Sequence, residues 1–504
     1  MATNPDDIVS RINELCKQLI CFAQESEAGT SAYEAESVIF HRMLQMARLA
    51  IEAFLEAQAK HYHHSTTEDA EGRTLPYSGE RGGVYYSIFG TVQFARSYYC
   101  GGGHGSFPMD AGVNLPLKGQ SDFLRKMAEE LAVSMSYEDV TLFLASYFPV
   151  SASTRGVQAI IETDCQDAEA YYEQAPPPPE NPQATILCVE ADNKGVPMVK
   201  PTGSGAQSDP MPGQQKAERT HDGKTKEATV VSVSTHIPFI RTPEQVRDSL
   251  FKKRDEDVKI YEAPKDKPVS KRTWATMGGK ENGLQQAYVW TQQSLTASIA
   301  HKLTLLDGCE GLKNRVNERF PDYIRILDLI HAIQYLWKAA DAQFGKKSQQ
   351  GWEWTYAAVL RMLRGQTQSI IDELDGWVED STDRAAWTII QRSGGYFEKN
   401  LEAMKYDEYL EKGWPIASGI IEGACRSVVK DHCERSGMRW TLQGVEAFLH
   451  LRCVHQNGDW EAYHDFRMQK RQENVYGVRS ERRIQIDEPD LYRSGTNRNL
   501  AIAV

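Results

Sequence analysis

The 504 residues are 41% hydrophobic and 25% charged, with 57 Lys and Arg against 69 Asp and Glu. This is ordinary globular composition, enough for roughly two to four domains, and it lacks both an apolar run of about eighteen residues and a charged leader before an apolar core; the expectation is a soluble, cytoplasmic protein with no membrane partner. A net charge of -12 argues against a surface that coats nucleic acid non-specifically, although basic clusters at Lys252–Arg254, Lys271–Arg272 and Arg467, Lys470, Arg471, Arg479, Arg482, Arg483 leave room for local contacts.

Nine cysteines are scattered without a C-x-x-C pair, as in a protein that keeps its thiols reduced. Residues 1–64 carry two helical patterns: Ile8, Ile12, Leu15, Leu19, and then Val38, Met43, Met46, Leu49, Ile51, Phe54. They predict an N-terminal helical arm for packing or dimerisation, ending in His61, His63 and His64 as surface histidines. Over 65–115, Tyr85, Ser87 and Phe89 and then Val92, Phe94, Arg96 and Tyr98 alternate across a Phe-Gly-Thr turn, the pattern of a small β-hairpin. Cys100 and His104 are half of a zinc ligand set, but no second pair at ligand spacing precedes them; a degenerate, metal-free ribbon is the simpler reading.

Residues 116–175 return to helical spacing, with a break at FPVSAST. Two helices around a tight break match a helix-turn-helix, with Ser153, Thr154 and Arg155 where base edges are read; helical bundles that never touch DNA share the pattern. The proline run EQAPPPPENPQ, 173–183, predicts a stiff linker and a domain boundary.

An α/β pattern fills 184–343. ATILCVEAD is a strand, NKG turns it into a second strand VPMVK, and after a polar insertion (201–225) KEATVVSVSTHI is a third. Residues 238–282 read as a charged surface excursion, a helix spans 283–301, and KLTLLDG and YIRILDL are strands four and five, each followed by a helix. Three strands, helix, strand, helix, strand, helix is the RNase H-like order, which sets the first and fourth strands side by side and makes neighbours of Asp192 and Asp307 at their ends. Residues 344–412 are helical throughout, an all-α insertion whose tryptophans fit a core, while an exposed one could stack on unpaired bases.

The core resumes over 413–465 with GWPIASGIIEGACRSVVKDHCERSGMRW, and 466–504 is a C-terminal tail. Ile420, Ile421, Ala424, Val428 and Val429 give the expected helix an apolar face, and Glu422 is followed at four and eight residues by Arg426 and Lys430. Alone this is a solvated face with ion pairs; beside two strand-end aspartates, Glu422 becomes a candidate third acid. Three carboxylates can hold two divalent ions that clamp both oxygens of a phosphodiester displacement, and oxygen ligands suit Mg2+ or Mn2+. Glu190, on the same strand face as Asp192, and Asp328, which also ends a strand, are rival ligands.

The motifs VEADNKGVPM, LLDGCEGL, ILDLIHAIQYLW, YFEKNLEAMKYDEY and GWPIASGIIEGACRSVVKDHCERSGMRW, followed by LHLRCVHQNGDWEAY, span roughly 185–465. In this order they resemble transposases of bacterial insertion sequences, specifically the ISKra group, and more distantly the Mutator-type enzymes. The resemblance implies a DDE triad of Asp192, Asp307 and Glu422 as catalytic and metal-binding residues, with Asp328 and His331 as an accessory pair. It implies DNA cleavage with Mg2+ or Mn2+, then strand transfer by the freed 3′-hydroxyl. The implied partners are terminal inverted repeats and target DNA, bound by a homodimer or larger assembly near the nucleoid, with Arg426, Lys430 and Arg439 on the DNA side. Two departures stand: Asn193 follows Asp192 where glycine is usual, and Cys100 lacks its companion cysteines. The competing class is a non-catalytic DNA-binding or assembly protein built on the same fold, against which the three intact acids weigh.

Overall fold

In the computed structural model, the described residues are 5–26, 29–69, 71–117, 119–199, 225–251, 267–380 and 383–477. The polar insertion, the basic run 252–266 and Arg479, Arg482 and Arg483 of the tail lie outside them. Chain contacts divide the molecule into two units: Met1–Ala128 with Thr141–Ala152 and His464–Val504, and Glu129–Val140 with Ser153–Tyr463.

In the first unit, α1 (Pro5–Glu25) and α2 (Ala32–His61) are the two expected N-terminal helices. Ser31 and Glu34 form a reciprocal capping box that satisfies orphan amides at the start of α2. Strands β1 (Thr66–Glu68), β2 (Thr74–Ser87), β3 (Gly90–Gly101) and β4 (His104–Ser106) make an antiparallel sheet in that order. The hairpin closes with Ser87 opposite Gly90, and Gly90 takes the turn at φ +108°. Leu55 of α2, Val92 and Phe94 of β3, and Met109 of the short α3 (Pro108–Gly112) form a common core with Leu115. Arg471 closes this unit, its guanidinium gripping both Asp122 oxygens at 2.8 and 2.7 Å and Asn114 at 2.8 Å. α4 (Asp122–Ser134) and α5 (Tyr137–Tyr147) have residues in both units.

The second unit is built on a five-stranded mixed sheet. Its strands are β5 (Ile186–Pro197), β6 (Thr225–His236), β7 (Ser270–Thr276), β8 (His301–Leu306) and β9 (Ile324–Leu327), ordered β7-β6-β5-β8-β9. β5, β6 and β7 form an antiparallel meander, whereas β8 runs parallel to β5 and β9 parallel to β8. Two sequence expectations fail here. NKG is not a turn: β5 continues through it, with Asn193 opposite Thr229 and Lys194 opposite Ala228, and the Thr229 hydroxyl donates to Asn193 at 3.0 Å. The long ladder with β6 overrides the local turn preference, so KEATVVSVSTHI is the second strand and not the third. The third strand is SKRTWAT, within the supposed surface excursion. Its Arg272 is buried because the guanidinium donates to the Pro176 carbonyl at 2.6 Å and lies 5.9 Å from the Tyr172 and Trp290 rings.

The proline run does not separate domains. α6 (Thr154–Asp164) and α7 (Ala168–Gln174) precede it yet belong to the unit of the sheet, and Tyr172 packs on Trp274 and Trp290 at 5.5 and 5.1 Å. α8 (Pro243–Leu250) and α9 (Lys280–Ser294) flank β7 in sequence, and α10 (Glu310–Arg319) joins β8 to β9. Ile186, Cys188, Leu303, Leu305 and Ile326 of the sheet share one core with α11 (Leu329–Phe344), α12 (Gln349–Leu363), α13 (Thr367–Asp380), α14 (Arg384–Asn400) and α15 (Tyr406–Glu411). The helical block over 344–412 is therefore packed into the α/β core; burying each such leucine stabilises it by about 1.5–3 kcal/mol. Then come α16 (Gly419–Ala424), a π-helical turn (Cys425–Lys430), α17 (Asp431–Cys433), α18 (Leu442–Asn457), which packs on β7, and α19 (Trp460–Tyr476). Among the described residues no helix is long and apolar enough to cross a membrane.

Candidate active site

The parallel register sets Glu190 of β5 opposite Leu305 of β8, so two residues further on Asp192 comes level with Asp307, just past the end of β8. Asp192 is half-buried, and one of its oxygens accepts from the Asn193 amide at 2.7 Å. Burial raises its pKa above the usual carboxylate value, and the charge of Asp307 adds to that. Asp307 stands at a sharp turn: one oxygen accepts from the Cys309 amide at 2.8 Å, and the Tyr396 hydroxyl donates to its carbonyl at 2.6 Å. Gly308 has φ +85°, and a Cβ there would meet Leu327 and Tyr396 at 3.0 Å.

Glu422 comes from α16, which packs over β5 and β6. Its carboxyl is raised by burial first and then by the charges of Asp328 and Asp192. Both rival carboxylates are engaged in holding this helix. The Ile421 amide donates to Glu190 at 2.9 Å, and the Ser418 amide donates to Asp328 at 2.7 Å. These amides belong to the helix start, where a carboxylate is favoured by orphan N–H groups and the macrodipole. Asp328 also caps α11, accepting from the His331 amide at 2.8 Å and the His331 Nδ1 at 2.6 Å. Burial works to raise the Asp328 pKa, but these hydrogen bonds outweigh it and hold the carboxyl below its ordinary value. His331 is shifted upward by the Asp328 hydrogen bond, with Asp307 and Glu422 contributing charge.

The acids therefore form one constellation. Asp328, His331 and Glu422 have donor atoms within 4.8 Å of one another, and Asp192 and Asp307 act on them electrostatically. Cys425 is a member that sequence reasoning passed over: its thiol donates to Asp192 at 3.5 Å, and burial pushes its pKa up. It reaches Asp192 from the π-helical turn, a feature that no residue pattern announced and that often marks functional sites.

The same turn changes the face on which Arg426 and Lys430 were expected. With an i→i+5 repeat, residues four and eight beyond Glu422 no longer stack in line with it, and Arg426 instead pairs with Asp431 at 3.5 Å. Arg426, Lys430 and Arg439 are all exposed. Ser153, Thr154 and Arg155 are not gathered at the acids. Ser153 caps α6 by accepting from the Gly156 amide at 3.1 Å, Thr154 and Arg155 are exposed, and α6 packs on α18. In the first unit, Cys100 donates to Ser78 at 3.5 Å and His104 meets Arg73 at 3.0 Å.

Compared with known proteins, the sequence matches no family model and no curated protein.

Proposed function

We propose that this chain is a DNA transposase with an RNase H-like catalytic core, which cuts phosphodiester bonds at element ends and joins the freed 3′-hydroxyl to target DNA. The observation that carries the reading is the convergence of Asp192 and Asp307 from neighbouring parallel strands with Glu422 from the helix over them. The sheet order and the motifs from VEADNKG to the Glu422 helix support the same reading.

The residues fit a hard divalent cation. Burial of Asp192, partial desolvation of the otherwise exposed Glu422 and the neighbouring negative charges raise both carboxyls above their ordinary values, which positive charge would offset, and oxygen donors suit Mg2+ or Mn2+. Asp192, Asp307 and Glu422 would hold it. When bound, such ions supply Lewis-acid stabilisation of the charge on attacking and leaving phosphodiester oxygens. The protein's part is positioning. Glu190 and Asp328 fix the start of α16 and so the place of Glu422, Tyr396 braces the Asp307 turn, and Asp328 holds the His331 ring through Nδ1 in the same cluster as Glu422. The partners are terminal inverted repeats and target DNA, met by a homodimer or larger assembly.

The test is a labelled element end incubated with purified protein and Mg2+. Wild type should shift and cut it, whereas Asp192→Asn, Asp307→Asn and Glu422→Gln should shift it without cutting. A wild-type chain that shifts the DNA and never cuts it is a non-catalytic DNA-binding or assembly protein, and the enzymatic reading fails.

A further inference from the structure

A cleft of about 560 Å³ opens beside Asp307, walled by α10, α11 and α14. Four cations line it: Lys313, Lys338, Arg392 and Lys399, in a chain whose net charge is -12. Two of them are already occupied. Lys399 pairs with Glu310 at 3.1 Å, and the Lys313 ammonium donates at 3.2 Å to the Lys399 carbonyl and the Asn400 side chain. Lys338 and Arg392 are exposed and, among the described residues, have no ion-pair partner. Asp307 and Glu310 lie on the same lining and Glu310 is taken by Lys399, so four cations face two carboxylates and the cleft carries an excess of positive charge that an anion would offset.

The wall between them is aromatic. Tyr335 and Tyr396 stack at 3.8 Å with their planes 10° apart, and the Lys338 ammonium lies 4.1 Å from the Tyr335 ring centre. Tyr396 is also the residue whose hydroxyl holds the Asp307 carbonyl, so the wall is continuous with the acidic site. The volume is that of a small-ligand pocket (about 300–1,000 Å³), which admits nucleotide units and not a double helix.

We propose that this cleft is a groove for single-stranded DNA, taking the phosphates of the strand next to the bond presented at Asp192 and Asp307; the identity of the strand rests on the reading above. Lys338 and Arg392 contact its phosphates, and the face of Tyr396 turned away from Tyr335 is the aromatic surface left to a base.

The test is anisotropy titration of a short fluorescein-labelled oligothymidylate with the full chain in chelator, across a range of salt. Lys338→Gln and Arg392→Gln should each lower the log-log salt slope by about 0.7, one phosphate contact on a single strand, and the double variant should lower it by the sum. Arg392→Lys, which keeps the charge, should retain the slope. A double variant that melts as wild type and binds the oligonucleotide with wild-type affinity and slope overturns the proposal. If the double variant loses binding of thymidine monophosphate or inorganic phosphate while oligonucleotide binding is unchanged, the cleft takes a free phosphate compound and the strand assignment is wrong. No cleavage enters this measurement, so the two readings fail separately. A chain that never cuts DNA but loses oligonucleotide affinity in the double variant removes the catalytic reading and leaves the groove. A chain that cuts DNA while the double variant binds as wild type does the reverse.

Discussion

Replacing Asp328 by Asn should loosen the helix that carries Glu422 and release His331. The Asp328 carboxylate is fully buried and accepts from the Ser418 amide at 2.7 Å, the His331 amide at 2.8 Å and His331 Nδ1 at 2.6 Å. Asparagine offers one acceptor oxygen, so in either orientation its NH2 group faces one of the two backbone donors. A buried donor left unpaired costs about 1–3 kcal/mol, and loss of the charge-assisted bond to His331 adds roughly 1 kcal/mol after the smaller desolvation cost of the neutral side chain is credited. The expected local destabilisation is about 2–4 kcal/mol, which makes exchange of the Ser418 amide on the order of 30- to 1,000-fold faster. The pair also has a pH window. Asp328 is depressed in the fold, so its contribution is present above the ordinary carboxylate value and is lost as pH falls through the depressed one. His331 is raised above 6.5, so its contribution is full below that value and is lost as pH rises through the raised one. Hydrogen exchange by mass spectrometry across 414–433 and NMR titration of the His331 ring read both effects. Unchanged Ser418 protection together with an unchanged His331 titration in the variant would refute the clamp.

His432 is buried against Phe448 at 4.5 Å, and its pKa is pushed down to about 4 by burial and by Arg452 and Arg435. A folded value below the ordinary 6.5 means that stability falls as pH drops from 6.5 toward 4, by about 2 kcal/mol at pH 5. His432→Gln should remove that slope from urea midpoints measured at pH 7 and 5, and a slope that persists contradicts the assignment. Gly308→Ala should cost about 1–3 kcal/mol, because φ is +85° and the new methyl meets Leu327 and Tyr396 at 3.0 Å. Thermal melting reads that cost, and a melting temperature equal to wild type would mean the turn relaxes without strain. Arg471→Ala removes a guanidinium bonded twice to Asp122 and twice to Asn114, at a cost of about 1.5–3 kcal/mol, and Arg471→Lys should not restore it because an ammonium lacks the fork. Protease cleavage near residue 464 should accelerate in both variants; protection at wild-type level in Arg471→Lys would show that charge alone suffices.

Four of the five sheet strands were legible as apolar runs, and two of them pointed to the acidic site, with Asp192 inside β5 and Asp307 just past β8. β7 was hidden because Lys271 and Arg272 read as surface, whereas Arg272 spends its charge on a carbonyl and two aromatic rings inside the fold. NKG carried a turn signal that a twelve-residue antiparallel ladder overrode. The proline run suggested a boundary because stiffness was visible and the packing of Tyr172, before it, on Trp274, after it, was not. At the site, residue type identified the carboxylates but not their tasks. Glu190 and Asp328 bind backbone amides 231 and 90 residues away, and such amides have no sequence signature. The π-helical turn that brings Cys425 to Asp192 is likewise set by tertiary contact, and local spacing could only extrapolate a regular helix through it.

Whether Asp192 and Asp307, joined by Glu422, hold divalent metal can be read from a Mn2+ titration followed by the free-ion electron paramagnetic resonance signal. Wild type should remove Mn2+ from solution, and Asp192→Asn and Asp307→Asn should each lose this binding while remaining folded. Binding that survives both substitutions and disappears only with Glu422→Gln or His331→Gln would contradict that assignment, placing the ion among Asp328, His331 and Glu422, whose donor atoms already lie within 4.8 Å of one another.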